Sequence, residues 1–264
     1  MKCHGARFKG LLAGFSVAAI LGAALPALAD DAAIQSKIEE RFQKAKITAE
    51  GDVDVAVTNG AVLLTGGVAT VAAQREAEKL ARKEAKFVEN HIVVMPEKRA
   101  DADIKKDVLH ALERNPHLGV FDSVEYGVDD GVVLLQGSVL RPLRKDEIET
   151  AVACIPGVRE VRDEIGVQGL SPFDEGLRRQ IYRQVYGHLD SSLAGRDGSN
   201  PPVRIVVDRG RVTLTGYVRS RVDQVLIGNI ARSTLAFDVD NRIKVDGEPP
   251  AEDQKASPSP TLLI

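Results

Sequence analysis

"GAVLLTG" at Gly60–Gly66, "GVVLLQG" at Gly131–Gly137 and "GRVTLTG" at Gly210–Gly216 are one heptad written three times. A loop that cradles phosphate gathers its glycines at a strand-to-helix turn and follows them with a Lys and a hydroxyl. None of these heptads is followed by such a pair. Instead Val62, Leu64, Gly66 and Val68 alternate with other residues, as do Val133, Leu135, Gly137 and Val139, and Val212, Leu214, Gly216 and Val218. That period of two describes a strand with one face on a core. The inner glycines Gly66, Gly137 and Gly216 are then packing positions, where a missing side chain lets a helix or another backbone come close.

The outer glycines mark turns. "VDVAVTNGAVLLTG" alternates Val53, Val55 and Val57, turns at Asn59-Gly60 and returns, and Asp130-Gly131 and Arg209-Gly210 hold the same place in the other copies. A two-residue hairpin turn needs positive φ at both positions, which Asn-Gly and Asp-Gly accept readily and Arg-Gly less well. Downstream of each heptad comes a second signature, V-x-x-x-I-x-V, at Val88, Ile92 and Val94, at Val161, Ile165 and Val167, and at Val239, Ile243 and Val245. Upstream of each hairpin an apolar residue recurs every four positions: Ile34, Ile38 and Phe42; Ile104, Val108 and Leu112; Leu177, Ile181, Val185 and Leu189. Such a stripe is one face of a helix. Asp101 and Asp103, or Asp174 and Glu175, suit the positive end of that helix's dipole. "TVAAQREAEKLARKEAK", "RPLRKDEIETAVACI" and "SRVDQVLIGNIARST" fill the gap before the last strand as second helices. The unit reads helix, strand, strand, helix, strand, and the expected fold is α+β: three tandem αββαβ domains, each a three-stranded sheet packed by two helices.

The first 29 residues stand apart. Lys2, Arg7 and Lys9 precede the apolar run "LLAGFSVAAILGAAL", and "ALA" at 27–29 precedes Asp30. This is the order of a secretory signal peptide with cleavage after Ala29, and the run is shorter than the roughly 20 residues of a spanning helix. The divisions that follow are 1–29 signal peptide, 30–98, 99–171 and 172–246 for the three copies, and 247–264 as a disordered tail rich in Pro and polar residues. The segment from Asp190 to Pro202 is an unusually long loop inside the third copy. Cys3 precedes the apolar run, where a lipid-modified cysteine would follow it. Cys154 is left as the single cysteine of the mature chain and reads as a packed small side chain without a disulfide.

The formal charge of −3 becomes −6 once the leader is set aside, distributed as −2, −5 and +3 over the three copies and −2 over the tail. The third copy is the basic one. An aromatic content of 4% and no Trp leave little to stack on bases or sugars, so no nucleic-acid partner is expected. His91, His110, His117 and His188 lie at neither metal-ligand nor triad spacing, and Glu39-Glu40 and Asp129-Asp130 fall on a helix face and in a turn. No catalytic residue, metal or cofactor is expected, and the chain does not read as an enzyme.

Three copies of G-x-V-x-L-x-G at a hairpin and V-x-x-x-I-x-V at a last strand, over about residues 31–246, resemble the BON domain, a family typified by the osmotically inducible periplasmic protein of Gram-negative bacteria. The resemblance implies a periplasmic location, a role in envelope integrity or in envelope and osmotic stress tolerance, and phospholipid binding through the first helix of a copy. Here those helices are 103–115 and 175–189. By their own chemistry Arg178, Arg179 and Arg183 with Tyr182 and Tyr186 suit anionic headgroups and the interfacial zone. Lys105 and Lys106 are a weaker set, because Asp101, Asp103 and Asp107 surround them. The expected partner is an anionic phospholipid surface, bound peripherally. The alternative is a chaperone or scaffold that binds envelope proteins through its repeats, with strand faces such as that of Val132 and Leu134 as contacts.

Overall fold

The computed structural model describes residues 25–49, 51–188 and 201–246, so most of the leader, most of the long loop and the tail lie outside the described residues. The chain divides into two compact units: residues 1–118 with 124–167, and residues 119–123 with 168–264. The first unit holds copies one and two, and the second holds copy three.

Copy one runs α1 (Leu25–Ala45), β1 (Gly51–Thr58), β2 (Ala61–Val68), α2 (Val71–Ala81), β3 (Phe87–Asn90) and β4 (Val93–Val94). Copy two runs α3 (Asp101–Glu113), β5 (Ser123–Asp129), β6 (Val132–Val139), α4 (Pro142–Ala153) and β7 (Glu160–Val167). Copy three runs α5 (Pro172–His188), β8 (Val203–Asp208), β9 (Arg211–Val218), α6 (Arg221–Arg232), β10 (Asp238–Asn241) and β11 (Lys244–Val245). The chain is α+β, with the second strand of each copy at the centre of its sheet. That strand pairs antiparallel with the first, Val57 opposite Val62 and Val207 opposite Val212, and parallel with the last, Val133 opposite Val161. The last strand is continuous in copy two and broken into two short pieces in copies one and three. The helix stripes and the inward strand residues meet as expected: Ile38, Phe42, Leu64 and Ile92; Ile104, Val108, Leu135 and Ile165; Ile181, Val185, Leu214 and Ile243 are all buried.

Each hairpin is tied to its first helix by one carboxylate. Both central residues of every turn have positive φ: 51° and 76° at Asn59-Gly60, 45° and 73° at Asp130-Gly131, 50° and 74° at Arg209-Gly210. In such a turn neither central N–H has a partner inside the hairpin, so each needs an outside acceptor. Asp31 accepts from the amides of Asn59 (2.8 Å) and Gly60 (2.7 Å). Asp101 accepts from Asp130 (2.9 Å) and Gly131 (3.0 Å), and Asp174 from Arg209 (3.2 Å) and Gly210 (2.7 Å). These aspartates lie three residues before Ile34, Ile104 and Leu177, one helical turn ahead of the core stripe on the same face.

The inner glycines serve a tighter contact than a helix would demand. Gly66, Gly137 and Gly216 have φ of 111°, 118° and 114°. A methyl on Gly66 would lie 2.1 Å from the Asp52 carbonyl oxygen, and one on Gly216 2.1 Å from that of Pro202. The close backbone is the neighbouring strand of the same hairpin, so both sterics and φ call for glycine here.

A second repeated network fixes the last strand. Two residues before its isoleucine, Asn90, Asp163 and Asn241 accept through Oδ1 from the amides of Ile92 (3.1 Å), Ile165 (2.8 Å) and Ile243 (3.2 Å). The carbonyls of those isoleucines take a side-chain donor from the second helix: Gln74 Nε2 (2.6 Å), Lys145 Nζ (2.8 Å) and Gln224 Nε2. Copies one and three use neutral Asn with Gln, whereas copy two uses Asp with Lys, whose charged atoms are 3.5 Å apart. The charges change together, which keeps the pair neutral.

Within the first unit, the start of α2 joins the core of copy two: Val71 is 4% exposed there, Ala72 and Val94 pack beside it, and Arg75 pairs with Glu149 at 2.9 Å. Within the second unit, residues 119–123 run along β8. Ile205 donates to the Val120 carbonyl (2.7 Å), Arg204 to that of Asp122 (3.0 Å), and the Ser123 and Thr215 hydroxyls are 2.8 Å apart. Cys154 is the C-cap residue of α4 and is half-buried.

Two consequences are measurable. Asp174→Ala removes both acceptors of a buried turn, and a loss of about 2 kcal/mol is expected. It is read by urea unfolding followed through tyrosine fluorescence, which copy three dominates with Tyr182, Tyr186 and Tyr217 out of four tyrosines; an unshifted midpoint would refute the clamp's role. For copy two, Lys145→Gln and Asp163→Asn should each destabilise alone, while the double substitution restores stability with a coupling of about 1 kcal/mol. Additive losses would show the two positions to be independent.

Candidate functional site

The candidate lipid-contact residues of α5 do not share one surface. The stripe of Leu177, Ile181 and Val185 faces the core of copy three, and Arg178, three residues before Ile181, turns in with it. Its side chain is fully buried: Nη2 donates to the carbonyls of Val207 (2.5 Å) and Gly169 (3.1 Å), and Nη1 is 3.7 Å from the Glu175 carboxylate. The expectation that Arg178 meets headgroups is therefore corrected. The segment 168–170 closes over it, with Gln168 donating to the Phe121 carbonyl (2.6 Å) and the Gly169 amide to Asp208 (2.8 Å). Tyr186 is also corrected. Its hydroxyl donates inward to the Val203 carbonyl at 2.5 Å, and burial pushes the phenol above its ordinary value.

Arg179, Tyr182 and Arg183 remain. Spaced i, i+3 and i+4, they form one exposed face of α5. Arg179 lies 3.6 Å from Glu175, and Tyr182 rests on the rings of Phe121 (5.9 Å between centroids) and Tyr186 (4.9 Å). Lys105 and Lys106 are exposed on α3, Lys106 at 3.5 Å from Asp103. Val132 and Leu134 are half-buried on β6.

A further cluster lies at the opposite end of α5, around the hairpin turn. Phe173 and Phe237 stack there, centroids 5.5 Å apart and planes 23° off parallel, yet they are 41% and 78% exposed. Both rings lie against the turn: a methyl on Gly210 would come within 2.5 Å of Phe237 and 3.2 Å of Phe173. Arg209 and Arg211 flank that glycine and are exposed, and Leu235 is exposed close by in sequence. The result is an exposed aromatic pair at a turn that carries two exposed arginines. Its signal in the sequence was Phe173 directly before the turn-binding Asp174, but a phenylalanine beside a helix start reads by itself as core. No helix among the described residues is long and apolar enough to cross a membrane.

The BON domain family model matches residues 30–96, 100–169 and 179–247. The chain belongs to the BON domain family. BON domains are in general non-catalytic binding domains, and this chain carries three in tandem. No curated protein matches it. Among solved structures, two of CdsD, a structural protein of the Type III secretion system of Chlamydia trachomatis, are similar at 13% identity. One, of its C-terminal domain, covers 80% of this chain and 96% of its own with a TM-score of 0.23. The other covers 80% and 90% with the same score.

The burial of Arg178 in the third BON domain has a direct check. Arg178→Met takes the donor from the Val207 carbonyl at a buried bond and from the Gly169 carbonyl at a part-buried one, so copy three is expected to lose about 2 kcal/mol. Lipid association per folded molecule should not change. Weakened association at intact stability, measured by flotation and urea unfolding on the same preparation, would return Arg178 to the surface.

Proposed function

We propose that the chain is an exported, non-enzymatic periplasmic protein that associates peripherally with anionic phospholipid surfaces through its third BON domain and supports envelope integrity under stress. The observation that carries this reading is the exposed Phe173–Phe237 stack against the turn at Gly210, a turn whose neighbours in sequence are the exposed Arg209 and Arg211. Phenyl rings held at a turn can enter the boundary between headgroups and acyl chains, while the flanking guanidinium groups meet lipid phosphates. Arg179, Tyr182 and Arg183 add a second basic and aromatic face on the same helix. Each arginine near an anionic surface contributes about 1 kcal/mol, so binding should be weak, reversible and sensitive to salt. The leader of residues 1–29 supports the compartment by its charged, apolar, small-residue order.

Flotation with vesicles containing phosphatidylglycerol, against phosphatidylcholine alone, tests the reading. Recovery is expected only with the anionic vesicles. Phe173→Ser with Phe237→Ser should lower it at least tenfold, and Arg209→Glu with Arg211→Glu similarly, with Arg179→Glu and Arg183→Glu giving a smaller loss. Equal recovery from both vesicle types, or no response to the phenylalanine pair, counts against it.

A further inference from the structure

We infer that α6 is a second lipid-contact surface: the third BON domain meets an anionic bilayer with its α6 side, the outer face of that helix lying along the interface beside the phenylalanine pair. The inference rests on the membrane reading above and fixes which side of the domain carries it. The inner residues of α6, Ile227, Gly228 and Ala231, are buried. On its outer side Val222, Val225 and Leu226 are 74%, 50% and 42% exposed. Counted from the N-caps Thr70, Arg141 and Ser220, the positions of Val225 and Leu226 hold Arg75 and Glu76 on α2 and Asp146 and Glu147 on α4. The second helix of this fold therefore accepts charge at both positions, and copy three alone makes them apolar.

Charge names the occupant. Arg219, Arg221 and Arg232 are exposed around the two ends of α6. Asp223, the acid within the helix, bonds the Ser220 cap (2.7 Å), and Asp240 of β10 is taken up by Arg242 (2.7 Å). Asp238 is exposed next to Phe237, but the exposed Arg209 and Arg211 outnumber it at that turn. A helix with an apolar outer face among arginines suits the boundary of an anionic bilayer, where the guanidinium groups meet phosphate and the aliphatic side chains leave water.

Continuity with the phenylalanine pair points the same way. β10 and β8 pair with opposite edges of β9, and α6 packs over β9 and β10 while α5 packs over β8. Phe237 leads into β10 and its amide donates to the Gly210 carbonyl (2.8 Å), so the Phe173–Phe237 stack stands on the α6 side. Tyr182 instead rests on Phe121, and Tyr186 reaches Val203 of β8. A helix of this length spans about 18 Å. One flat surface therefore takes the phenylalanines and the α6 face together, while Arg179, Tyr182 and Arg183 lie toward the other side and act through charge alone.

The chain has no Trp, so a single introduced one reports its own surroundings. Phe237→Trp, Val225→Trp and Tyr182→Trp are compared on phosphatidylglycerol and phosphatidylcholine vesicles whose acyl chains are brominated to quench on contact. Emission of Phe237→Trp and Val225→Trp is expected to shift to the blue and fall at least twofold, with Tyr182→Trp unchanged. Val222→Glu with Val225→Glu should cut flotation at least fivefold at an unchanged urea midpoint. Quenching of Phe237→Trp without Val225→Trp, or of Tyr182→Trp as strongly as Val225→Trp, overturns the inference and leaves the membrane reading standing. No quenching of Phe237→Trp together with no flotation removes the membrane reading and the inference with it. A Val225→Trp emission that shifts to the blue in buffer as protein concentration rises would give the face to a second copy, and overturns the inference as well.

Discussion

The fold depends on one carboxylate per domain reaching from the domain's first helix to both amides of a hairpin turn. A left-handed two-residue turn presents two N–H groups that its own hairpin cannot use. An aspartate one turn ahead of the first core residue supplies two oxygens at 2.7 to 3.2 Å. This fixes where the hairpin begins relative to the helix stripe, and with it which strand face meets the core. The separation from aspartate to turn is 28, 29 and 35 residues in the three copies. The contact persists although the helix and loop between them differ in length, so the domain is organised around it rather than around loop geometry.

The architecture was legible because it rests on periods: four residues for the helices, two for the strands, and a repeat of both. What stayed hidden was pairwise. Asp101 and Asp174 read as ordinary dipole partners of a helix start and Asp31 drew no reading, because their true partners stand about thirty residues away and are backbone atoms. Asn90, Asp163 and Asn241 sit inside V-x-x-x-I-x-V at a position the apolar pattern leaves blank. Only the joint change from Asn with Gln to Asp with Lys reveals that the position is paired.

Arg178 shows how a local reading errs at a site. It lies four residues after Asp174 and three before Ile181, on the inward stripe, where its charge argued for solvent and its register for the core. The equivalent residues, Gln35 and Lys105, are half-buried and exposed. Copy three differs because residues 168–170 close over the position and offer the Gly169 carbonyl, a tertiary contact that helical periodicity does not encode. Register prevailed once acceptors were available, since a buried guanidinium is tolerated only when carbonyls receive it.

Function is best sought where the copies depart from their common plan. At the turn, copy one places Asp30, Asn59, Ala61 and Lys86, and copy two places Ala100, Asp130, Val132 and Arg159. Copy three places Phe173, Arg209, Arg211 and Phe237 at those positions. The first two domains fold without aromatic rings there, so packing does not require them. Arginine at a positive φ is less favourable than the asparagine or aspartate it replaces, by about 1 kcal/mol. Two exposed phenylalanines add a further liability in water. A turn that departs from its siblings at four positions, three of them against stability or solubility, is shaped by something outside the domain, and exposed rings on a turn that carries arginines fit an anionic interface.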